Sequence, residues 1–114
     1  MSLPKVTNIS FGSIAINGRK HDTDIVVFWD GEVLERERTH TVSERELMDI
    51  LLKEPEVVII GTGIAGHVKI DKEALDYAKL NNVDLIAKTT KEAAKDFNEL
   101  VRRKRVAALF HISD

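Results

Sequence analysis

Cysteine is absent from this 114-residue chain. That absence removes a thiol nucleophile, a thiolate-ligated zinc or iron–sulfur site and a disulfide scaffold in one step. Aromatic residues make up only 5% of it, too few for the stacking platforms that hold single-stranded nucleic acid. An excess of one charge is missing too: 17 Lys and Arg stand against 19 Asp and Glu, a formal charge of −2, so nothing in the balance attracts a polyanion. No window approaches the roughly 18 apolar residues that a membrane-spanning helix needs. The first ten residues hold no basic stretch followed by an apolar one of signal-peptide length. Together these features predict a cytoplasmic protein with no nucleic-acid and no membrane partner.

What is present suffices for a core. Hydrophobic residues make up 43% and charged residues 32%, the balance of an ordinary globular chain. At 12.8 kDa the folded surface should be about 6,300 Å² against about 18,600 Å² unfolded, so about two thirds of the surface leaves water. A single domain over residues 1–114 is expected, with no metal or disulfide staple required.

The first forty residues carry hairpin punctuation. Asn17-Gly18 follows the run 13–16 and Asp30-Gly31 follows the apolar run 25–29; both dipeptides supply the positive φ angles of a tight type I′ turn. The strand after the second turn, 32–38, carries Glu35, Arg36, Glu37 and Arg38, so its far end is expected as a solvated edge. From Ser43 the apolar period lengthens from two to 3.6. Ser43 with Glu46 makes a capping box, Leu47, Ile50 and Leu51 form one apolar face, and Pro55 stops the helix. The β-branched run 57–60, ending in Gly61, has the pattern of a strand covered on both faces, hence parallel and central.

Asp71 is placed to cap a second helix, with Ile70 and Leu75 as a hydrophobic staple and Asn81-Asn82 as its end. Residues 83–87 read as another short buried strand. Thr89 with Glu92 opens a third helix whose core face is Ala93, Phe97, Leu100 and Val101. The basic run 102–105 complements that helix's negative end before a last strand at 106–112. The order is a β meander followed by αβαβαβ, with right-handed crossovers between parallel strands. It predicts a three-layer α/β domain with a mixed sheet, Rossmann-like but without a dinucleotide site.

Gly61-Thr62-Gly63-Ile64-Ala65-Gly66 matches G-x-G-x-x-G directly after the buried strand. A dinucleotide turn would open a helix there, yet 67–70 reads as extended and the cap waits until Asp71. The acidic residue that should close the next strand is missing as well, since Asp84 lies at its beginning. No cofactor is therefore expected, and the glycines read first as a sharp turn at a strand end. A weaker reading keeps a ligand: Gly61, Thr62 and Gly63 with the Thr89-Thr90 cap could hold a small anion where strand ends and helix amides meet.

The histidines, His21, His40, His67 and His111, have no i, i+4 pairing or H-E-x-x-H spacing, so no metal site is read from the sequence. His21, Asp22 and Asp24 form the densest polar cluster, in which a carboxylate could orient a base; with His40 they are the candidates for catalysis. A turn of solvated polar residues is the simpler reading of that cluster. No nucleophile motif is present, so an enzyme has no named centre. Trp29 reads as packing, with an interface as the alternative.

Several positions together carry a resemblance. Phe11-Gly12, Trp29, His40, the run Val58-Ile59-Ile60-Gly61-Thr62-Gly63, the helix from Thr90 through Phe97-Asn98-x-Leu100, and the ending Val106-Ala107-Ala108-Leu109-Phe110-His111 form one ordered set. The set resembles a small domain-of-unknown-function family that includes an adipogenesis-associated animal protein and the third assembly factor of mitochondrial NADH dehydrogenase. The resemblance implies a compact three-layer α/β domain and a protein-binding role, and it implies no reaction. Its landmarks here are Gly61, Gly63 and Asn98; where relatives carry a glycine before the last strand, this chain has Lys104. The leading expectation is thus a non-enzymatic interaction or assembly module, with protein partners that include a second copy of itself. The alternative is a small-ligand or anion-binding protein that uses Gly61, Thr62, Gly63, Thr89, Thr90 and Asn98, and the third is an enzyme at His21, Asp22, Asp24 or His40.

Overall fold

In the computed structural model, which describes residues 3–114, the period-two half of the chain divides between two sheets. β1 (Val6–Ser10), β2 (Ser13–Ile16) and β3 (Arg19–His21) form a small antiparallel meander, while β4 (Asp24–Phe28) and β5 (Val33–Arg36) join the main sheet. The predicted central strand is β7 (Val57–Gly61), parallel to both neighbours, β9 (Asp84–Lys88) and β10 (Val106–Phe110). The main sheet runs β5-β4-β10-β7-β9, mixed because β4 lies antiparallel to β10. β6 (Thr41–Val42) and β8 (Lys69–Ile70) form a separate two-residue parallel ribbon.

Alternation along the buried strands sends their side chains into two cores. On one face Ile25, Val27, Val57, Ile59, Val106, Ala108 and Phe110 meet Ala93, Ala94 and Phe97 of α3 (Thr90–Leu100), with Val6, Ile14 and Ile16 of the small meander. On the other, Val26, Phe28, Val58, Ile60, Ala107 and Leu109 meet Leu47 and Ile50 of α1 (Glu44–Leu51) and Ala74 and Ala78 of α2 (Lys72–Leu80). The meander is thus part of an outer layer and does not extend the main sheet. The domain has the three layers and αβαβαβ order predicted, with an accessible surface of 6503 Å².

Local chemistry differs from expectation at several points. Asn17 (φ 50°) and Gly18 (φ 83°) both take positive φ, but at the second hairpin Gly31 alone does (φ 96°). There the Phe28 amide donates to Glu32 O and the Gly31 amide to Phe28 O, both at 2.9 Å. The loop therefore spans three residues with glycine in the bulge position, and is not a type I′ turn. β9 is the sheet edge, half-buried to exposed along its length, and is not a buried strand. Ser43 Oγ accepts from the Glu46 amide at 3.1 Å, but the Glu46 carboxylate does not close the capping box because it binds Arg36. Asp71 and Thr89 stand at the N-caps without a side-chain cap bond. Leu75 remains 46% exposed and so is no buried staple.

Arg36, expected on a solvated edge, is turned inward with its side chain 3% exposed. Its guanidinium is the first sign of a buried polar centre.

Candidate functional site

The parallel strands β7, β9 and β10 all end at one edge of the sheet, and the antiparallel β4 begins there. This edge is where open α/β sheets leave a crevice. β4 delivers Asp24 to it, β5 delivers Arg36, and the segment leaving β10 delivers His111, Ser113 and Asp114. The β6–β8 ribbon draws the stretches before each strand together, since the Lys69 amide donates to His40 O at 2.9 Å. His40 and His67 thereby come to the same mouth.

At the base lies Asp24, whose side chain is fully buried. Its Oδ1 accepts from the Ile112 amide at 3.0 Å; its Oδ2 accepts from Arg36 Nη1 at 2.8 Å and lies 2.6 Å from His111 Nδ1. Arg36 Nε donates to Glu46 Oε2 at 2.6 Å and its Nη2 to Thr41 O at 3.1 Å. On the far side of the imidazole, Ser113 Oγ is 3.0 Å from His111 Nε2. With Asp24 ionised and His111 neutral, Nδ1–H donates to the carboxylate and Nε2 accepts from the hydroxyl. Among the described residues every buried side-chain N and O has a partner, as the cost of desolvating such groups demands. The order carboxylate, imidazole, hydroxyl is the one that polarises a serine in hydrolases. Here, however, Ser113 is only 5% exposed.

Above this base the groups are open. His40 packs edge-on against His111 with ring centroids 5.0 Å apart, and its Nε2 lies 3.2 Å from Asp114 Oδ1. His67 Nδ1 lies 3.9 Å from Asp114 Oδ2. The hydrogen bond to His40 holds the Asp114 carboxyl below its ordinary value, with smaller help from the charge of His40 and then of His67.

The glycine loop frames this centre from the side. A Cβ on Gly63 (φ +111°) would lie 2.7 Å from both the carbonyl carbon and the carbonyl oxygen of Asp114; one on Gly61 would lie 3.0 Å from Phe110 Cδ1 and 3.1 Å from Thr90 Oγ1. The glycines thus let the segment leaving β10 and the start of α3 close onto the loop. Six amides of the loop are engaged within the chain: Thr62 donates to Lys88 O, Ile64 to Ser113 O, Gly66 to Gly63 O, His67 to Asp114 O and Val68 to Thr62 O, with Gly63 the sixth. The Gly63 amide donates to Thr90 Oγ1 at 2.9 Å, and that hydroxyl donates to His111 O at 2.6 Å. Thr89 Oγ1 donates to Glu92 at 2.9 Å. What the loop offers is therefore position for His111, Ser113 and Asp114.

The candidates read from sequence separate into two groups. Gly61, Thr62, Gly63, Thr89 and Thr90 gather beside the centre, and Asp24 and His40 belong to it. His21 stays on β3, in a groove with Arg19 and Glu35, while Asp22 is exposed near Lys20 at 3.7 Å. Asn98 lies elsewhere, accepting from the Val6 amide at 2.8 Å and donating to Val6 O at 3.0 Å. The reading of Asp24 as part of a solvated turn is corrected by its burial, since a strand-end carboxylate that meets a guanidinium, an amide and an imidazole has exchanged water for protein donors. Arg36, Glu46, Ser113 and Asp114 were not anticipated, and His67 and His111 were read only as histidines without metal-ligand spacing. The available signal was polar residues bordering apolar strands, Asp24 before the run 25–28 and His111 after the run 106–110, which must find partners where they are buried.

Comparison with known proteins adds family and fold. A family described as protein of unknown function (DUF498/DUF598) matches residues 6–111. A conserved hypothetical protein from Pyrococcus horikoshii is 29% identical, over 96% of this chain and 99% of that one, with a TM-score of 0.89. A protein named MT938 is 30% identical, over 97% and 99%, with a TM-score of 0.82. A Bordetella pertussis protein described as an Mth938-like domain is 21% identical, over 97% and 87%, with a TM-score of 0.80, a likeness of fold.

Proposed function

Because this chain belongs to the DUF498/DUF598 family of unknown function, which brings no reaction to it, we propose from its geometry that it binds a small ligand at the histidine centre. The observation that carries the reading is the convergence of His40, His67 and Asp114, from three separate stretches of chain, over a buried charged base that includes His111. This reading moves the ligand contacts from the glycine loop to the side chains which that loop positions. The exposed imidazoles of His40 and His67 and the half-exposed carboxylate of Asp114 have donor and acceptor capacity facing outward, while His111 beneath them is fully buried and bonded at both nitrogens. Native mass spectrometry of the gently purified protein tests it. A retained species lost in His40→Ala supports the reading, and clean apo peaks under the same conditions count against it.

A second reading keeps the interaction module and rests on the opposite end of the sheet. There a groove between α1 and α2 is lined by Met48, Leu51, Leu52 and Tyr77, with Leu52 79% exposed. Its rim carries Glu54, Glu56 and Asp84 beside Lys104 and Arg105, a mixed set of charges that suits two-fold pairing with a second copy. Sedimentation of wild type and Leu52→Asp tests that pairing, a dimer lost in the variant being the expected result. An assembly role of the kind the resemblance implies would use the same groove. Among the described residues no helix is long and apolar enough to cross a membrane, and a cytoplasmic location is part of this proposal.

A further inference from the structure

We propose that His40, His111 and Asp114 form a binding site for a divalent transition metal ion, with His67 as a fourth ligand. The inference rests on the histidine centre being a binding site and names its ligand class. One donor atom from each of His40, His111 and Asp114 lies within 4.8 Å of the others. Zinc-like ions bind nitrogen and carboxylate oxygen at about 2.0–2.2 Å, which brings tetrahedral ligand atoms to about 3.4 Å from one another. His40 Nε2 already stands 3.2 Å from Asp114 Oδ1, while His67 Nδ1 lies 3.9 Å from the other oxygen, Oδ2, outside the three-residue cluster, and must turn to join it. The remaining adjustment falls on side chains free to turn, since those of His40, His67 and Asp114 are 54%, 62% and 55% exposed.

His111 is the fixed ligand. Its Nδ1 faces the Asp24 carboxylate at 2.6 Å, and Arg36 and the Ile112 amide hold that carboxylate in turn. A carboxylate on the remote nitrogen is the outer-shell arrangement that orients a metal-binding imidazole and raises its basicity. It leaves Nε2 as the coordinating atom, so the ion takes the place of the Ser113 hydroxyl now 3.0 Å away. Charge favours the same occupant. Asp24, Glu46 and Asp114 oppose Arg36 alone within the network, a surplus of two negative charges with neutral imidazoles. Imidazole and carboxylate donors select zinc, cobalt, nickel or copper over magnesium or calcium, which prefer oxygen ligands throughout.

The test is calorimetric titration of tag-free, EDTA-dialysed protein with Zn²⁺ near neutral pH, repeated with Co²⁺ and followed by its visible spectrum. One ion per chain and a tetrahedral cobalt spectrum are expected. His40→Ala and Asp114→Asn should each weaken affinity at least about tenfold, and Asp24→Asn about 10- to 100-fold through the outer shell. His21→Ala, remote from the site, should change nothing. Because Asp24→Asn also disturbs the buried base, the exposed His40 and Asp114 variants carry the decision, with circular dichroism confirming their fold. Binding that ignores both of them, or that His21→Ala removes, overturns the site. A flat titration overturns the metal assignment. If native mass spectrometry then shows an organic species lost in His40→Ala, ligand binding at the centre survives; apo peaks together with a flat titration end both.

Discussion

Asp24→Ala removes the one carboxylate on which the polar centre is built. It accepts from Arg36 at 2.8 Å and from the Ile112 amide at 3.0 Å, and meets His111 Nδ1 at 2.6 Å; its own side chain is fully buried and that of Arg36 is 3% exposed. Taking one partner from a buried ion pair costs about 3–5 kcal/mol, and a buried N–H left without an acceptor adds on the order of 1 kcal/mol or more. The expected loss is therefore about 4–6 kcal/mol, a large part of the roughly 6–17 kcal/mol available to a chain of 114 residues. At about 2.1 cal/mol/K of unfolding entropy per residue, or about 0.24 kcal/mol/K for the chain, the melting midpoint falls by about 17–25 °C. Urea and thermal unfolding followed by circular dichroism measure this. The double variant Asp24→Leu/Arg36→Met, which removes the buried pair and leaves only the quarter-exposed Glu46 without its guanidinium, should lose less than Asp24→Leu alone. A loss below about 1 kcal/mol for Asp24→Ala, or losses of Asp24→Leu and Arg36→Met that simply add in the double variant, would refute the account.

Further predictions follow from single contacts. Gly63→Ala combines a strained φ of +111° with a Cβ 2.7 Å from Asp114 backbone atoms, so it should lose about 2–6 kcal/mol. Gly66→Ala, with its nearest atoms at 3.6 Å, should lose only the backbone part, and equal losses would show that the close approach is not what matters. Asn98→Ala strips both hydrogen bonds from the Val6 backbone, costing about 1–3 kcal/mol and speeding hydrogen exchange at the Val6 amide. The Asp30 carboxyl, hydrogen-bonded by Lys53, should titrate below 3.8 by NMR and return toward that value in Lys53→Met. Because the folded pKa is the lower one, the pair's small, salt-sensitive stabilisation is present above pH 3.8 and lost as pH falls through the Asp30 midpoint.

The parts of the fold legible in the sequence are those set by neighbours along the chain. Ser43 caps α1, Asn17-Gly18 takes the two positive φ angles of a tight turn, and the β-branched run 57–60 is a two-sided parallel strand. Misreadings arose where a side chain had a choice of partner. Glu46 was placed to close the cap of α1, but a guanidinium ten residues earlier in sequence offered a charge-assisted bond at 2.6 Å. Arg36 reads as solvated because it stands in the charged run Glu35-Arg36-Glu37-Arg38, and period-two alternation alone does not say what waits on the inner face.

By itself, then, the sequence determined the three helices, the central strand, the order of the main elements and the three-layer class, because capping, turn geometry and apolar period act over a few residues. Tertiary structure alone decided which strands share a sheet and which polar groups meet. Asp24 and His111 are 87 positions apart and His40 and Asp114 are 74 apart. Only the pairing of β4 with β10 and of β6 with β8 closes those distances. The physical reason is that a polar centre of this kind is made by strand register, a property of two distant segments jointly that neither carries alone.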